Sequence, residues 1–497
     1  MQAPDLTMVN LNSIQSPSVT AFDLQLGDDS TLAVSEIVRA VPNKRLVCKA
    51  VWRGENVYAK LFIGANAKRY AQRDQHGVQA LMSANITTPD LLHVGNFAAN
   101  EVLIFKAIDG AQNAEVLYRK LYESQQSEKR LDLMLKLTAI VAQLHVANLQ
   151  QTDLYFKNFL IDAEKTYAID GDGIQAFSSL FNKQQKQRNL ATLFSKIDVL
   201  DSQWIAQCYA HYCKQMMTEY LATDLVKINN LAKKIRQKVA SAYADKKVFR
   251  TCSDINVRQT FKRYMASAND FSAVDLSGNQ LDLALNNALN RLKSGNTCTV
   301  GKAFISNKNV VIKRYNIKNV WHGFKLSISQ SRAAKSWANA HRLNILNIAT
   351  AKPLALIEER FGWLRRRAYF LTEYIEAPDI AEFFALTIDS STKEKVARET
   401  ALLFYKLNVL QISHDDCKAS NIKIVDGKPV LIDLDSMQSH NCNWWFEKKH
   451  IKDLKRFMQN WSHSPEISAL FKREFLQIYD ENGVNQLSTV LERAKIA

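Results

Sequence analysis

The stretch His414-Asp-Asp-Cys-Lys-Ala-Ser-Asn421 places a histidine, two carboxylates, a lysine and an amide within eight residues. Ten residues later the apolar pair Leu431-Ile432 leads into Asp433. Apolar residues between polar segments are typical of a short strand, so the sequence predicts a strand over residues 431–435 that follows the polar loop and a short hairpin. On such a strand Asp435 points the same way as Asp433. We therefore expect the loop residues and Asp433 to share one site.

The same pattern occurs in the first half of the chain. Three polar positions recur with a shift of 263 residues, as the pairs Asp153 and Asp416, Asn158 and Asn421, and Asp170 and Asp433. Upstream, two strand-like runs end in Lys60 and in Lys313, a shift of 253. Matched intervals of this kind predict two copies of one fold, each of roughly 240 residues.

Composition and periodicity predict an α+β fold. Only 15 Gly and 8 Pro occur in 497 residues, which disfavours long linkers and low-complexity segments. Helical periodicity covers residues 131–148, 197–243 and 394–409, and strand-like composition covers 45–61 and 309–315. The predicted organisation is an acidic N-terminal segment over residues 1–30, a first and more diverged copy over 31–244, and a second copy over 245–497.

Charge and cysteine usage exclude several classes of protein. The net charge is +16 with 47% hydrophobic residues, a globular composition rather than that of a disordered basic tail. The first 38 residues contain no Lys or Arg, and no window approaches the roughly 18 apolar residues of a spanning helix, so we expect a cytoplasmic protein. Seven cysteines without a C-x-x-C pair indicate reduced thiols.

The repeated residue types suit phosphoryl transfer from ATP, which depends on electrostatic positioning more than on covalent chemistry. A strand lysine holds phosphates, a loop aspartate accepts the proton of the acceptor hydroxyl, and an asparagine five residues later shares Mg²⁺ with a further aspartate. In the second copy these residues are Lys313, Asp416, Asn421 and Asp433, with Lys418 placed to meet the transferred phosphate. In the first copy they are Lys60, Asp153, Asn158 and Asp170.

Two further residues of the loop have alternative interpretations. His414 is a candidate catalytic base near neutral pH, but we expect it to support the backbone around Asp433 instead. Cys417 is expected to be a small loop residue, because no His–Asn arrangement accompanies it as a nucleophile would require.

Several segments of the second copy resemble the lipopolysaccharide core kinases of the Kdo/WaaP-like family. They are Lys313-Arg-Tyr-Asn316 and residues 332–341, 353–358, 368–373, 414–421 and 431–437. The first copy, with Thr87-Thr-Pro89 and its Asp153–Asn158 loop, resembles a more diverged member.

The resemblance implies tandem protein-kinase-like domains, each with a small β-rich N-lobe and a larger helical C-lobe. It also implies ATP and Mg²⁺ as cofactors, with Glu373 among the cofactor-binding residues. The implied acceptor is a sugar hydroxyl, of a heptose or Kdo, in the lipopolysaccharide inner core at the cytoplasmic face of the bacterial inner membrane.

The sequence also departs from the kinase pattern. Neither copy has the G-x-G-x-x-G phosphate loop. The helix predicted over residues 331–343 contains no carboxylate to pair with Lys313, whereas Asp74 is a candidate partner for Lys60. The first copy has Gln151 where the second has His414. Whether the first copy is active stays open.

Basic and aromatic segments suggest where an anionic acceptor docks. Residues 227–263 contain eleven Lys or Arg and two carboxylates, and Arg365-Arg-Arg367 follows Phe361-Gly-Trp363 in a predicted hairpin. Both are either solvated charged faces or contacts for an anionic glycolipid or the inner-membrane surface. The pair Trp444-Trp445 either belongs to a core, as aromatic pairs usually do, or contacts an interface or acceptor.

Two other functions remain open from the sequence. The loop does not identify the acceptor, so a protein Ser/Thr or Tyr kinase is an alternative. The missing lysine partner in the second copy permits a nucleotide-binding pseudokinase scaffold in envelope biogenesis. No nucleic-acid-reading module is present, so no nucleic acid is expected as a partner.

Overall fold

In the computed structural model of the protein the described residues are 11, 14, 18–19, 21–163, 165–178, 182–271, 276–287, 291–295, 298–315, 330–481 and 491–494. The chain divides into unit 1, residues 1–197 with 201–235, and unit 2, residues 198–200 with 236–497. Expectations for residues 1–10 of the N-terminal segment and for Asn316 lie outside the described residues.

Unit 1 begins with a six-stranded antiparallel sheet in the order β1-β2-β3-β4-β6-β5. Its strands are β1 (Phe22–Gln25), β2 (Thr31–Val41), β3 (Arg45–Trp52), β4 (Glu55–Phe62), β5 (Leu91–Phe97) and β6 (Asn100–Lys106). The segment 45–61, one strand-like run in the sequence, is a hairpin of β3 and β4. Arg53 and Gly54 between them have φ of 51° and 83°, and a two-residue turn with positive φ at both positions matches the twist of the strands.

The rest of unit 1 is mostly helical, with short strands between the helices. The helices are α1 (Ala67–Ser83), α2 (Ala114–Glu123), α3 (Ser127–Val146), α4 (Asn182–Phe194), α5 (Trp204–Met216) and α6 (Ala222–Asp245), which continues into unit 2. The short strands are β7 (Gln112–Asn113), β8 (Leu149–Gln151), β9 (Phe159–Ile161), β10 (Thr166–Ala168) and β11 (Ile174–Ala176). The helical periodicity over 197–243 corresponds mainly to two helices, α5 and α6, because Met217 has φ of 51° and ends α5 in a left-handed cap.

Unit 2 contains a seven-stranded antiparallel sheet in the order β12-β13-β17-β18-β16-β15-β14. Its strands are β12 (Ile255–Gln259), β13 (Arg263–Ala268), β14 (Arg291–Ser294), β15 (Cys298–Ile305), β16 (Lys308–Tyr315), β17 (Pro353–Phe361) and β18 (Leu364–Glu373). The hairpin predicted for residues 361–367 is present as β17 and β18, with Gly362 at φ 61° in the turn and Arg365 on β18.

Helices and two short strand pairs complete unit 2. The helices are α7 (Gly278–Asn286), α8 (Arg332–Ile345), α9 (Ile380–Ala385), α10 (Ser390–Leu410), α11 (Asn443–Met458) and α12 (Pro465–Glu481). The strands are β19 (Ile412–Ser413), β20 (Ile422–Val425), β21 (Lys428–Leu431) and β22 (Gln438–Ser439). Helix α10 has the predicted position: the Asp389 side chain accepts from the Thr392 amide at its start, and Gln411 at φ 55° ends it before the polar loop.

The repeat seen in the sequence is present in the backbone. Strands β3 and β4 of unit 1 correspond residue by residue to β15 and β16 of unit 2 with the shift of 253. Val47 faces Lys60 across one ladder, and Val300 faces Lys313 across the other. The shift of 263 relates the 3-10 turn Phe156–Asn158 to Ala419–Asn421, and Gly171–Gly173 to Leu434–Ser436.

Candidate active site

The polar loop of unit 2 is closed by its own asparagine. Asn421 donates through Nδ2 to the main-chain oxygen of Asp416 at 2.8 Å and to its carboxylate at 3.2 Å. The Lys418 amine lies 3.4 Å from the same carboxylate. The five-residue spacing therefore brings the Asp416 carboxylate, the Lys418 amine and the Asn421 amide together. Because the Asn421 Nδ2 is used within the loop, the amide oxygen is the group that a cation would bind.

Asp433 does not lie on a strand. Strand β21 ends at Leu431, and Asp433 has φ of 62°, a left-handed conformation that ends the extended backbone before the 3-10 turn Leu434–Ser436. The predicted strand over 431–435 is thus wrong beyond Leu431. The turn directs Asp435 to Arg332, at 2.5 Å, and to Lys313, at 3.3 Å.

The carboxylates that pair with Lys313 follow the β20–β21 hairpin and do not lie on an α-helix. The Lys313 amine donates to Asp433 and to Asp435. Burial opposes the charge of Lys313, but Tyr315 and the two carboxylates raise its pKa. Burial also opposes the charge of Asp433 and so acts to raise its pKa. The charge of Lys313 and the hydrogen bond that it donates outweigh burial and hold the pKa of Asp433 below its usual value. The pair is therefore ionised at neutral pH.

One cavity of about 530 Å³ in unit 2 collects most of the predicted residues. Lys313, Glu373, Lys418, Asn421 and Asp433 all line it. Glu373 ends β18, and its carboxylate is 3.2 Å from Lys308, so it stands at the wall as part of an ion pair.

His414 lies beneath this cavity and supports the backbone, as expected. It is fully buried, and its Nε2 donates to the Ile432 carbonyl at 3.1 Å. Burial lowers its pKa, so the ring is neutral at pH 7. Cys417 is also fully buried, and burial raises the pKa of its thiol, in agreement with a loop residue that packs and does not react.

Two residues that the sequence did not single out hold the loop and the turn. Asp453 on α11 accepts from the His414 amide at 2.7 Å, and burial raises its pKa to about 7. Asn339 on α8 donates to the carbonyls of Leu434 and Met437, both at 2.9 Å. The only sequence signal for Asp453 is a carboxylate at a buried helix position between Ile451 and Leu454.

The predicted residues of unit 1 form a related site with different partners. Lys60 lies 2.8 Å from Asp74 of α1, the partner that the sequence suggested, and 3.6 Å from Asp170. Asn158 donates to the Asp153 carbonyl at 2.8 Å, repeating the closure of the loop in unit 2. Lys60, Asn158 and Asp170 line a cavity of about 390 Å³.

Close backbone packing places Asp74 in unit 1. A Cβ on Gly77 of α1 would lie 1.9 Å from the Gly171 carbonyl, so the helix approaches the turn after Asp170 more closely than any other residue permits. Gln151 donates to the Asp170 carbonyl at 3.1 Å. In unit 2 the equivalent residue, His414, donates to the Ile432 carbonyl.

The two sites differ in their suitability for Mg²⁺. In unit 2 the Asn421 amide oxygen and the Asp433 carboxylate belong to one cavity wall, and hard oxygen ligands of this kind suit an ion that also binds nucleotide phosphates. No group of three or more His, Cys, Asp or Glu side chains among the described residues could hold a metal by itself. In both units a cation already faces the candidate metal carboxylate. Asp433 is paired with Lys313, whereas Asp170 faces both Arg45 and Lys60 at 3.6 Å, so more positive charge opposes a divalent cation in unit 1.

The predicted docking segments have mixed outcomes. Trp444 and Trp445 are 53% and 57% exposed, so the interpretation as a core pair is wrong, and the Lys448 amine lies 3.6 Å from the Trp444 ring centre. Arg365 and Arg367 are held in ion pairs within unit 2, with Glu358 and with Asp282 and Glu359. In the part of the chain that is described, no helix is both long and apolar enough to cross a bilayer.

A strand lysine, a loop aspartate and an Asn–Asp pair around one cleft are the parts of a kinase-like phosphotransferase site. The sequence model of the lipopolysaccharide kinase (Kdo/WaaP) family matches residues 61–213 and 289–479, one region in each unit, and the chain belongs to that family. The protein is accordingly a phosphotransferase with a kinase-like fold. No curated protein matches the chain.

Proposed function

We propose that unit 2 transfers the γ-phosphoryl group of Mg-ATP to a heptose or Kdo hydroxyl of the lipopolysaccharide inner core. Each unit would form a two-lobed kinase-like domain. The observation that carries the proposal is the closure of the loop by Asn421, which places Asp416 and Lys418 beside the cavity that Lys313 and Asp433 line.

In this proposal Asp416 accepts the proton of the attacking hydroxyl, and Lys418, 3.4 Å away, meets the transferred phosphate. Lys313 leaves its carboxylates to hold the α/β-phosphates. Asn421 and Asp433 hold Mg²⁺, which when bound neutralises charge on the phosphate oxygens. His414 and Asp453 keep the loop in place from below.

The exposed Trp444-Trp445 pair supports docking of a lipid-linked acceptor. Exposed tryptophan with a cation on its face is suited to the boundary between lipid headgroups and acyl chains. Lys448, Lys452 and Lys455 are exposed on the same helix, and each cation near an anionic surface contributes about 1 kcal/mol. We propose that the protein binds peripherally at the inner face of the inner membrane.

The test uses the full-length protein, γ-labelled ATP and purified inner-core glycolipid. We expect label in the glycolipid, lost with Asp416→Asn and retained with the matched variant Asp153→Asn in unit 1. No incorporation above the Asp416→Asn background would refute the proposal. Label transferred to protein and not to glycan would identify a protein kinase, and ATP binding without any transfer would identify a pseudokinase.

A further inference from the structure

Arg45 is a buried cation in the unit 1 cleft for which the kinase pattern provides no role. Its side chain is 9% exposed, and Nη1 lies 3.3 Å from the Asp74 carboxylate and 3.6 Å from Asp170. Its Nε has no hydrogen-bond partner among the described residues. A guanidinium with an unused donor at a cavity wall is suited to receive phosphate.

The register of the sheets shows that unit 2 lacks this cation. Arg45 faces Phe62 across the β3–β4 ladder, and Cys298 faces Tyr315 across the β15–β16 ladder, each two positions beyond the strand lysine. The residue at the place of Arg45 in unit 2 is therefore Cys298. Side chains two positions apart on a strand share a face, so Arg45 and Lys60 point into the same cleft.

The charges that line the two cavities differ as well. In unit 1 there are five cations and one carboxylate: Arg39, Arg45, Lys60, Lys106, Lys157 and Asp170. In unit 2 there are four cations and three carboxylates: Lys293, Lys313, Lys418, Lys423, Glu373, Glu382 and Asp433. The unit 1 cavity lining thus holds a larger excess of positive charge. Its single carboxylate, Asp170, faces two cations, Arg45 and Lys60, whereas Asp433 in unit 2 is paired with Lys313.

We propose that the unit 1 cleft is a non-catalytic site that binds a nucleoside polyphosphate without a divalent cation. Arg45, Lys60 and Arg39 neutralise the phosphates, so the charge that Mg²⁺ supplies in unit 2 comes from side chains in unit 1. Apolar lining residues, among them Val47 and Phe105, surround the base. The proposal concerns unit 1 alone and does not depend on the acceptor of unit 2.

Amide hydrogen exchange of the full chain, read separately for residues 45–62 and 298–315, tests this proposal. With ATP and EDTA we expect protection of 45–62, and protection of 298–315 only after Mg²⁺ is added. Arg45→Cys, which installs the residue that unit 2 has at this position, should weaken ATP binding to unit 1 in EDTA at least tenfold. Protection of 298–315 with Mg²⁺ should be unchanged by that substitution.

A second variant covers the case in which loss of buried Arg45 unfolds unit 1. Arg39 is exposed on β2 and lines the same cavity, so Arg39→Ala should fold normally and weaken binding severalfold in EDTA. Protection of residues 45–62 that requires Mg²⁺, or ATP affinity unchanged by both variants, would overturn the proposal. Equal protection by inorganic pyrophosphate would overturn the assignment to a nucleotide.

Discussion

The strand lysines of the two units occupy equivalent ladder positions but are held in different ways. Lys60 is bound by Asp74, a helix carboxylate that is fully buried, with Arg45 as a second cation. Lys313 is bound by Asp433 and Asp435, and the helix of unit 2 supplies Arg332 to Asp435 instead. The same fold thus fixes this lysine through different carboxylates. The predicted metal ligand is hydrogen-bonded to the lysine in unit 2, and in unit 1 it lies 3.6 Å from the lysine.

The two units also differ in the side chains that bind the backbone of the polar loop. In unit 2 the loop backbone is bound by Asp453, an ionisable group. In unit 1 the side chain of Asn189 donates to the Gln151 carbonyl at 2.9 Å and lies 3.0 Å from His145. The side chain that binds the unit 1 loop backbone is therefore a neutral amide, and burial lowers the pKa of the His145 imidazole behind it to about 4. In unit 2 a carboxyl with a pKa of about 7 has that role, so we expect pH to affect the two loops unequally.

The largest expected difference is in turnover. Lys313→Met removes the cation proposed to hold the phosphates, and we expect kcat/KM for phosphoryl transfer to fall by roughly 100-fold or more. Lys60→Met, at the equivalent position of unit 1, should leave the transfer rate within about a factor of two, provided that it is assayed where unit 1 remains folded. Equal losses in the two variants would mean that unit 1 also carries turnover.

A pH dependence should separate the two loop supports. The pKa of Asp453 is about 7 in the folded protein against 3.8 as its reference value. Because this pKa is raised by burial, the contribution of Asp453 to stability falls as pH rises from about 4 to about 7, by roughly 4 kcal/mol in all. Asp453→Asn removes that trend, so the variant should gain stability relative to the wild type over this interval.

The measurement for Asp453→Asn is amide exchange of the loop strands β19 and β20 at pH 5 and pH 8, corrected for intrinsic rates. Unit 1 peptides in the same samples are the control, because Asn189 does not titrate and the pKa of its neighbour His145 is about 4, below the pH interval measured. A difference between variant and wild type that is the same at both pH values would contradict the assignment of a raised pKa.

The sequence predicted those site residues that lie close to one another along the chain. Asp416 and Asn421 bond to each other within one loop, so their relation is visible as an interval of five. Asp453 and Arg45 could not be assigned this way, because each acts on residues 29 to 39 positions distant through tertiary packing. Periodicity also could not show that Trp444 and Trp445 face solvent, since an aromatic pair has the same signature in a core and on a surface.

Replacing the two strand lysines should affect stability in the opposite order from turnover, with the larger loss of stability in unit 1. Lys60→Met leaves the fully buried Asp74 with Arg45 as its remaining cation, and loss of one partner from such a pair costs about 3 kcal/mol. Lys313→Met should cost less, because Asp433 is 27% exposed and Asp435 keeps Arg332. Chemical denaturation followed by exchange in each unit gives both values, and a larger loss in unit 2 would contradict this view of the buried pair.

The smallest expected effect concerns the helices behind the two lysines. The Ser331 hydroxyl accepts from the Ala334 amide at 3.1 Å and caps α8, which places Arg332 on Asp435, whereas Asn66 makes no side-chain bond at the start of α1. Ser331→Ala removes this cap and also the hydrogen bond that the same hydroxyl donates to Glu358 at 2.5 Å, so it should destabilise the first turn of α8 by about 1–2 kcal/mol. Asn66→Ala should leave α1 unchanged, because Gly77 and Asp74 already fix that helix against the cleft. Exchange rates of the two helices measure both effects, and equal fraying would show that α8 is held by its packing and not by its cap.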